Sequence, residues 1–141
     1  MAKVLVPIDG SVHALRALDR VLKQIEEGRD VQVHLLNVQP QALTGHARAY
    51  LSKEMVDEYY REEAEKALQP AREKLDKAGV KYAEERLIGN PGDCIARYVK
   101  NNGIELIVMG TRGLGSVQGM LLGSVANKVL HLVDVPVTLV K

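Results

Sequence analysis

A chain of 141 residues is long enough for one domain, because a domain of this size buries about 70% of its unfolded surface. The formal net charge of +1, without clusters of Lys or Arg, argues against nucleic-acid binding through a basic surface. The single cysteine excludes an internal disulfide. The N-terminal segment becomes polar too early for a signal peptide, and no apolar run has membrane-spanning length. These features predict one cytoplasmic domain over residues 1–141, with no membrane partner.

The first part of the chain predicts a strand, a helix and a second strand. Lys3–Ile8 is short, apolar and β-branched, which is typical of a strand buried on both faces. Ser11 is a candidate N-cap, and Gly28 a candidate end, for a helix whose apolar residues recur every three or four positions. These residues are Val12, Leu15, Leu18, Leu22 and Ile25. Val31–Val38 is the second strand, and Pro40 stops it.

The middle of the chain is more polar. Residues 39–48 are predicted to form a loop, followed by a long charged helix from Tyr50 to Lys77. Pro70 lies inside this helix and is expected to kink or split it. Val80–Ile88 is less apolar than the other strands, which favours a position near the edge of a sheet.

The last third of the chain alternates again. We predict a helix from Pro91 to Gly103, a strand at Glu105–Met109, a helix at Val125–Val133 capped by Ser124, and a strand at Pro136–Val140. Strands that alternate with helices indicate an α/β fold, with a parallel sheet covered by helices on both faces. In such sheets ligands bind beyond the carboxyl ends of the strands, where Asp9, Val38 and Met109 are predicted to lie.

A glycine-rich stretch, Gly110–Ser124, follows the fourth strand, and five of its fifteen residues are glycine. It is neither a Walker A loop nor the dinucleotide fingerprint, since no GxxxxGK[ST] occurs and Gly119 comes one residue late after Gly113-Leu-Gly115. By itself it is either a phosphate-binding loop or a flexible turn. Its position before a helix N-terminus favours phosphate, because glycines allow close backbone approach or positive φ, and the helix offers free N–H groups.

The spacing Gly110-x2-Gly113-x9-Gly123-Ser124 matches the G-2x-G-9x-G-[S/T] motif of the ATP-binding universal stress proteins. The chain resembles that family over its whole length. Further similar segments are Val6–Ser11, Leu106–Gly113, Leu122–Ala126 and Val135–Val137.

The resemblance implies a flavodoxin- or Rossmann-like fold of the adenine nucleotide α-hydrolase type, with five parallel strands in the order 3-2-1-4-5. It also implies ATP, with Mg²⁺ as an option, and a homodimer formed through Pro136–Val140. Asp9 would contact the adenosine end with Pro7 beside it, Val38 and Met109 would line the adenine, Gly110, Gly113, Gly123 and Ser124 would hold the phosphates, and Val125 would add a backbone contact.

Two cationic residues have open roles. Arg112 lies inside the glycine stretch and either screens phosphate charge or is a solvated loop residue. Lys128 lies one turn after Ser124 and either reaches a γ-phosphate or belongs to a solvated helix face. The four histidines have no metal-ligand spacing.

ATP hydrolysis needs an oriented water and charge stabilisation, and the sequence offers no obvious general base for the γ-phosphate. We therefore expect a regulatory ATP-binding module of the stress response, with slow or no hydrolysis and an unidentified protein partner. The alternatives are a slow ATPase or phosphotransferase, and an interaction or chaperone-like protein without nucleotide. A flavin electron-transfer protein is disfavoured, because the chain has neither Trp nor Phe to stack on a flavin.

Overall fold

Five strands and five helices make up the fold in a computed structural model that describes residues 1–115 and 118–141. The strands are β1 (Ala2–Pro7), β2 (Val31–Gln39), β3 (Tyr82–Ile88), β4 (Leu106–Gly110) and β5 (Val137–Val140). The helices are α1 (Val12–Glu26), α2 (Gly45–Ala49), α3 (Lys53–Lys77), α4 (Pro91–Asn102) and α5 (Ser124–Leu132). Residues 116–117 of the glycine-rich stretch lie outside the described residues.

The strands form one parallel sheet in the order β3-β2-β1-β4-β5, which confirms the order implied by the resemblance. Val4 of β1 lies opposite Val33 of β2 on one side and Leu106 of β4 on the other. β3 lies at one edge, as its polar composition predicted. Chain order reverses across the sheet between β1 and β4, and the carboxyl ends of these two strands therefore border a crevice.

Helices cover both faces of the sheet. Side chains of α1 and α3 pack on one face, where Leu18 and Leu68 are fully buried against Val6 and Leu35. Side chains of α4 and α5 pack on the other face, where Ile95 and Val129 join a second apolar cluster. On both faces, each loop that joins a strand to the following helix starts at the carboxyl edge of the sheet.

The ends of α1 and α4 lie where their sequence signals predict them. The Ser11 hydroxyl accepts a hydrogen bond from the Ala14 N–H at 3.2 Å, as expected of an N-cap. α4 begins at Pro91 and ends before Gly103, which has φ 64°. The predicted apolar side of α1 is wrong at Val12, which is 59% exposed. The buried side of the helix is formed by Ala14, Ala17, Leu18 and Val21.

Three predictions in the middle and end of the chain are wrong in detail. The predicted loop at 39–48 overlaps the short helix α2, and α3 starts at Lys53 instead of Tyr50. Pro70 does not split α3, which continues as one helix of 25 residues because its apolar side is buried on the sheet on either side of that residue, while a kink at Pro70 stays a prediction. Ser124 does not cap α5 but is its first residue, and Gly123 occupies the cap position without any side-chain cap bond among the described residues.

Candidate functional site

A cavity of about 610 Å³ opens at the carboxyl edge of the sheet, beside the crevice between β1 and β4. Its walls come from the ends of β1, β2 and β4, the glycine-rich stretch, the start of α5 and one side of α3. All ten residues predicted from sequence line it: Pro7, Asp9, Val38, Met109, Gly110, Arg112, Gly113, Gly123, Ser124 and Val125. The fold thus brings together residues that are more than 100 positions apart in the chain.

Asp9 connects the two loops that border the cavity. One of its carboxylate oxygens accepts a hydrogen bond from the Ser11 N–H at 2.9 Å, which closes the turn between β1 and α1. The other accepts from the Leu114 N–H at 3.1 Å, across the crevice. The turn-capping role of Asp9 is therefore present, and the same carboxylate also holds the glycine-rich stretch against β1.

The motif glycines allow close approach of backbone to its neighbours. A Cβ at Gly113 would lie 2.3 Å from the Asp9 Oδ2, and one at Gly110 would lie 2.7 Å from the His13 Cβ. A Cβ at Gly123 would lie 3.3 Å from the Arg112 Cα. None of these three glycines has a positive φ, in contrast to Gly115 and Gly119. The motif glycines therefore allow close packing against neighbouring residues and do not serve left-handed backbone, whereas close approach of their backbone to a ligand stays a prediction.

The start of α5 carries two backbone donors that have no acceptor among the described residues. The Gly123 N–H donates to the Thr111 carbonyl at 2.6 Å, which ties the helix start to the end of β4. Within residues 1–115 and 118–141, the N–H groups of Ser124 and Val125 have no hydrogen-bond partner, and both residues line the cavity. Free N–H groups and the positive end of the helix dipole make this wall suited to an anion.

The opposite part of the cavity is apolar. Met109 is buried at the end of β4, while Val38 at the end of β2 and Pro7 at the end of β1 are partly buried. Leu36 and Ile95 continue this surface. The cavity thus combines an apolar wall with a separate group of backbone donors, as binding sites for small amphipathic ligands commonly do.

Sequence reasoning missed the contribution of α3. Glu63, Lys66 and Ala67 line the cavity, and Ala67 lies 3.6 Å from where a Cβ of Gly10 would be. Glu63 and Lys66 form an ion pair at 3.4 Å across one turn. No local pattern marks these residues, because α3 reaches the site only through the packing of the whole sheet. Gln39 and Pro40, at the end of β2, also line the cavity.

The two cationic residues with open roles occupy different places. Arg112 lines the cavity. The Lys128 ammonium instead donates to the Asp93 carboxylate at 3.2 Å and the Asn90 side chain at 3.3 Å, which links α5 to α4. Lys128 is therefore engaged in an interhelical ion pair, outside the set of lining residues.

In residues 1–115 and 118–141, no three His, Cys, Asp or Glu side chains are grouped so that they could hold a metal ion. None of the helices in that part of the chain combines the length and apolar character needed to cross a membrane.

Known proteins with similar folds include several universal stress proteins. UspA from Lactobacillus plantarum superposes with a TM-score of 0.84 at 23% identity, covering 99% of this chain and 97% of that one. A universal stress protein in complex with cAMP gives a TM-score of 0.70 at 25% identity, with 99% and 97% covered. A family protein from Arabidopsis thaliana with AMP bound gives 0.70 at 24% identity, with 100% and 92% covered.

Sequence comparison points to the same group. The model of the universal stress protein family matches residues 1–141. Universal stress protein YxiE of Bacillus subtilis is 34% identical over 148 residues, covering 99% of this chain and 98% of the relative. Universal stress protein MJ0531 of Methanocaldococcus jannaschii is 32% identical, with 99% and 81% covered. The chain belongs to the universal stress protein family.

Proposed function

We propose that this protein binds an adenine nucleotide, ATP in the first place, in the cavity between β1 and β4. The observation that carries the proposal is that an apolar wall lies in the same cavity as the N–H groups of Ser124 and Val125, which have no acceptor among the described residues. The nucleobase would occupy the wall formed by Val38 and Met109, and the phosphates would lie at the start of α5.

The strength of such a site follows from its donors. A hydrogen bond to a charged group contributes about 1.5–3 kcal/mol. Two or three backbone bonds to phosphate together with burial of a base are consistent with micromolar affinity, or roughly 8 kcal/mol. The cavity volume of about 610 Å³ lies within the usual range for small-molecule sites.

The ligands of similar proteins support the same chemical class. The structures described above include one universal stress protein in complex with cAMP and one with AMP bound. Each of these ligands joins an adenine to a phosphate, the two parts for which the cavity has separate walls. ATP and Mg²⁺ go beyond those ligands and form the finer part of the proposal. If Mg²⁺ accompanies ATP, Asp9, which accepts a hydrogen bond from the Leu114 N–H, would supply a carboxylate ligand, and phosphate oxygens would supply further ligands.

Hydrolysis is proposed to be slow or negligible. Of the described residues that line the cavity, Asp9 and Glu63 are the two carboxylates. Asp9 accepts hydrogen bonds from two backbone N–H groups, and Glu63 pairs with Lys66. Neither is therefore held ready to orient a water molecule for attack on phosphorus. A nucleotide retained without rapid chemistry suits a regulatory module whose bound and free states are distinguished by a protein partner.

The assembly and location of the module are also proposals. β5 forms one edge of the sheet, and an edge strand offers backbone groups for pairing with a second copy. We propose that Pro136–Val140 supplies the interface of a homodimer, and that residues 1–141 act as a single cytoplasmic domain, consistent with a single buried cysteine, Cys94.

Calorimetric titration of nucleotide-stripped protein with AMP and ATP, with and without Mg²⁺, tests the proposal. Micromolar ATP binding and turnover below about 1 per second would support it. Faster turnover would favour the ATPase or phosphotransferase alternative. Absence of nucleotide binding by folded protein would refute the proposal and favour the interaction or chaperone-like alternative.

A further inference from the structure

A chain of amide groups runs from the end of β1 to the wall of the cavity. Asn37 in β2 is completely buried, and its Nδ2 donates a hydrogen bond to the Ile8 carbonyl at 2.8 Å. The Asn37 Oδ1 accepts a hydrogen bond from the Gln39 Nε2 at 3.0 Å. The Gln39 side chain is thereby connected to the residue that precedes Asp9.

The chemistry of this chain fixes the orientation of both amides. A backbone carbonyl only accepts hydrogen bonds, so Asn37 must direct its NH₂ group to Ile8 and its oxygen to Gln39. Gln39 must then direct its own NH₂ group to Asn37. Its Oε1 and one Nε2 hydrogen remain available, because no described residue bonds to them. The Gln39 amide therefore offers one acceptor and one donor in a fixed orientation.

Gln39 is the last residue of β2 and lines the cavity. It follows Val38, which lines the apolar wall, and it lines both the main cavity and a second one of about 320 Å³ between α3 and β3. The following loop is held to α3, since the Tyr60 hydroxyl accepts hydrogen bonds from the Ala42 N–H at 3.1 Å and the Leu43 N–H at 3.2 Å. The side chain therefore projects from backbone that is anchored on both sides.

We infer that Gln39 is a specificity-determining residue that selects adenine over guanine. An amide side chain pairs with adenine through its oxygen on the N6 amino group and its NH₂ on N7. Guanine has an acceptor, O6, in place of that amino group, so it would oppose the Gln39 oxygen. Asn37 acts as a positioning residue, because it prevents the amide from turning over to suit guanine. The inference rests on the proposed nucleotide function.

The test compares the affinities of AMP, GMP and purine riboside monophosphate, which lacks the N6 amino group. For the unaltered protein we expect AMP to bind about 10-fold more tightly than either of the others, since one bidentate amide–base pair discriminates by roughly 5- to 150-fold. Gln39→Leu should bring the three affinities to within about 2-fold of one another. Gln41→Leu, two residues later and exposed outside the cavity lining, is the matched control and should keep the preference.

The possible outcomes distinguish a failure of this inference from a failure of the proposed nucleotide binding. If the unaltered protein binds no adenine nucleotide, the proposed function and the inference both fail. If it binds AMP but binds purine riboside monophosphate equally well, or if Gln39→Leu keeps the full preference, the inference alone is overturned. The comparison of ligands on the unaltered protein needs no variant to fold.

Discussion

The contact between Gly113 and Asp9 leads to a quantitative prediction. Replacement Gly113→Ala places a Cβ 2.3 Å from the Asp9 Oδ2, well inside van der Waals contact. The carboxylate must move, and its hydrogen bonds to the Ser11 and Leu114 N–H groups, at 2.9 and 3.1 Å, are then strained or lost. The substitution is therefore expected to destabilise the fold through Asp9 and not through the backbone of Gly113.

The magnitude follows from those two bonds. A hydrogen bond to a charged group contributes about 1.5–3 kcal/mol, and water can replace the partner of the exposed Leu114 N–H. We therefore expect the free energy of unfolding to fall by about 2 kcal/mol, which corresponds to a decrease in Tm of roughly 6–10 °C for a domain of this size. Urea unfolding followed by circular dichroism measures this change.

A double-mutant cycle isolates the cause. In an Asp9→Ala background the only described atoms within 4 Å of the new Cβ are gone, so Gly113→Ala should be neutral or slightly stabilising. The predicted coupling energy is about 2 kcal/mol. If Gly113→Ala costs the same in both backgrounds, to within about 0.5 kcal/mol, the close approach to Asp9 is not the reason for glycine at this position.

Two further predictions concern stability away from the cavity. Burial, and secondly the positive charge of Lys3, lower the pKa of His34 below its ordinary value of 6.5. Below that pH the unfolded chain binds a proton that the folded protein resists, so the free energy of unfolding should decrease as the pH falls from about 7 to 5, and His34→Gln should flatten this part of the profile. Arg72 on α3 contacts the carboxylates of both Glu65 and Glu84, the latter at 2.5 Å from its Nε, and its side chain is 19% exposed. Arg72→Lys keeps the positive charge but loses the planar guanidinium that serves both carboxylates, and it should lower the free energy of unfolding by about 1–2 kcal/mol in urea titrations. An unchanged free energy of unfolding would show that the guanidinium contributes nothing beyond what a lysine ammonium supplies.

The strand pattern and the ends of α1 and α4 were predictable because they depend on local chemistry. The apolar runs of β1, β2 and β4 and the end of α4 at Gly103 lie within a residue or two of their predicted places. The strand order followed only from the family resemblance, since alternation of strands and helices predicts a parallel sheet without ordering its strands. The order is confirmed.

Features that depend on tertiary packing were not predictable. Pro70 normally disrupts a helix, at a cost of about 3 kcal/mol, but burial of Ala67, Leu68 and Ala71 on the sheet holds α3 together. The same packing brings Glu63 and Lys66 to the cavity, which no sequence pattern indicates. The ten predicted site residues do line one cavity, but their roles toward a ligand stay predictions.

The measurement that tests the central claim most directly compares two substitutions at one residue. Ser124→Ala removes only the hydroxyl group, whereas Ser124→Pro also removes the first N–H group of α5. Proline suits this position, because it is the first residue of the helix and Gly123 before it is extended, with φ −73° and ψ 164°. Both variants should therefore fold with similar Tm.

The two variants are titrated with ATP and with adenosine, which has no phosphate. If the start of α5 binds phosphate, Ser124→Pro should bind ATP at least about 10-fold more weakly than Ser124→Ala, because a hydrogen bond to a charged group is lost, and both should bind adenosine equally. Equal ATP affinities for the two folded variants would contradict the phosphate-binding role of this helix terminus, and with it the account of the glycine-rich stretch.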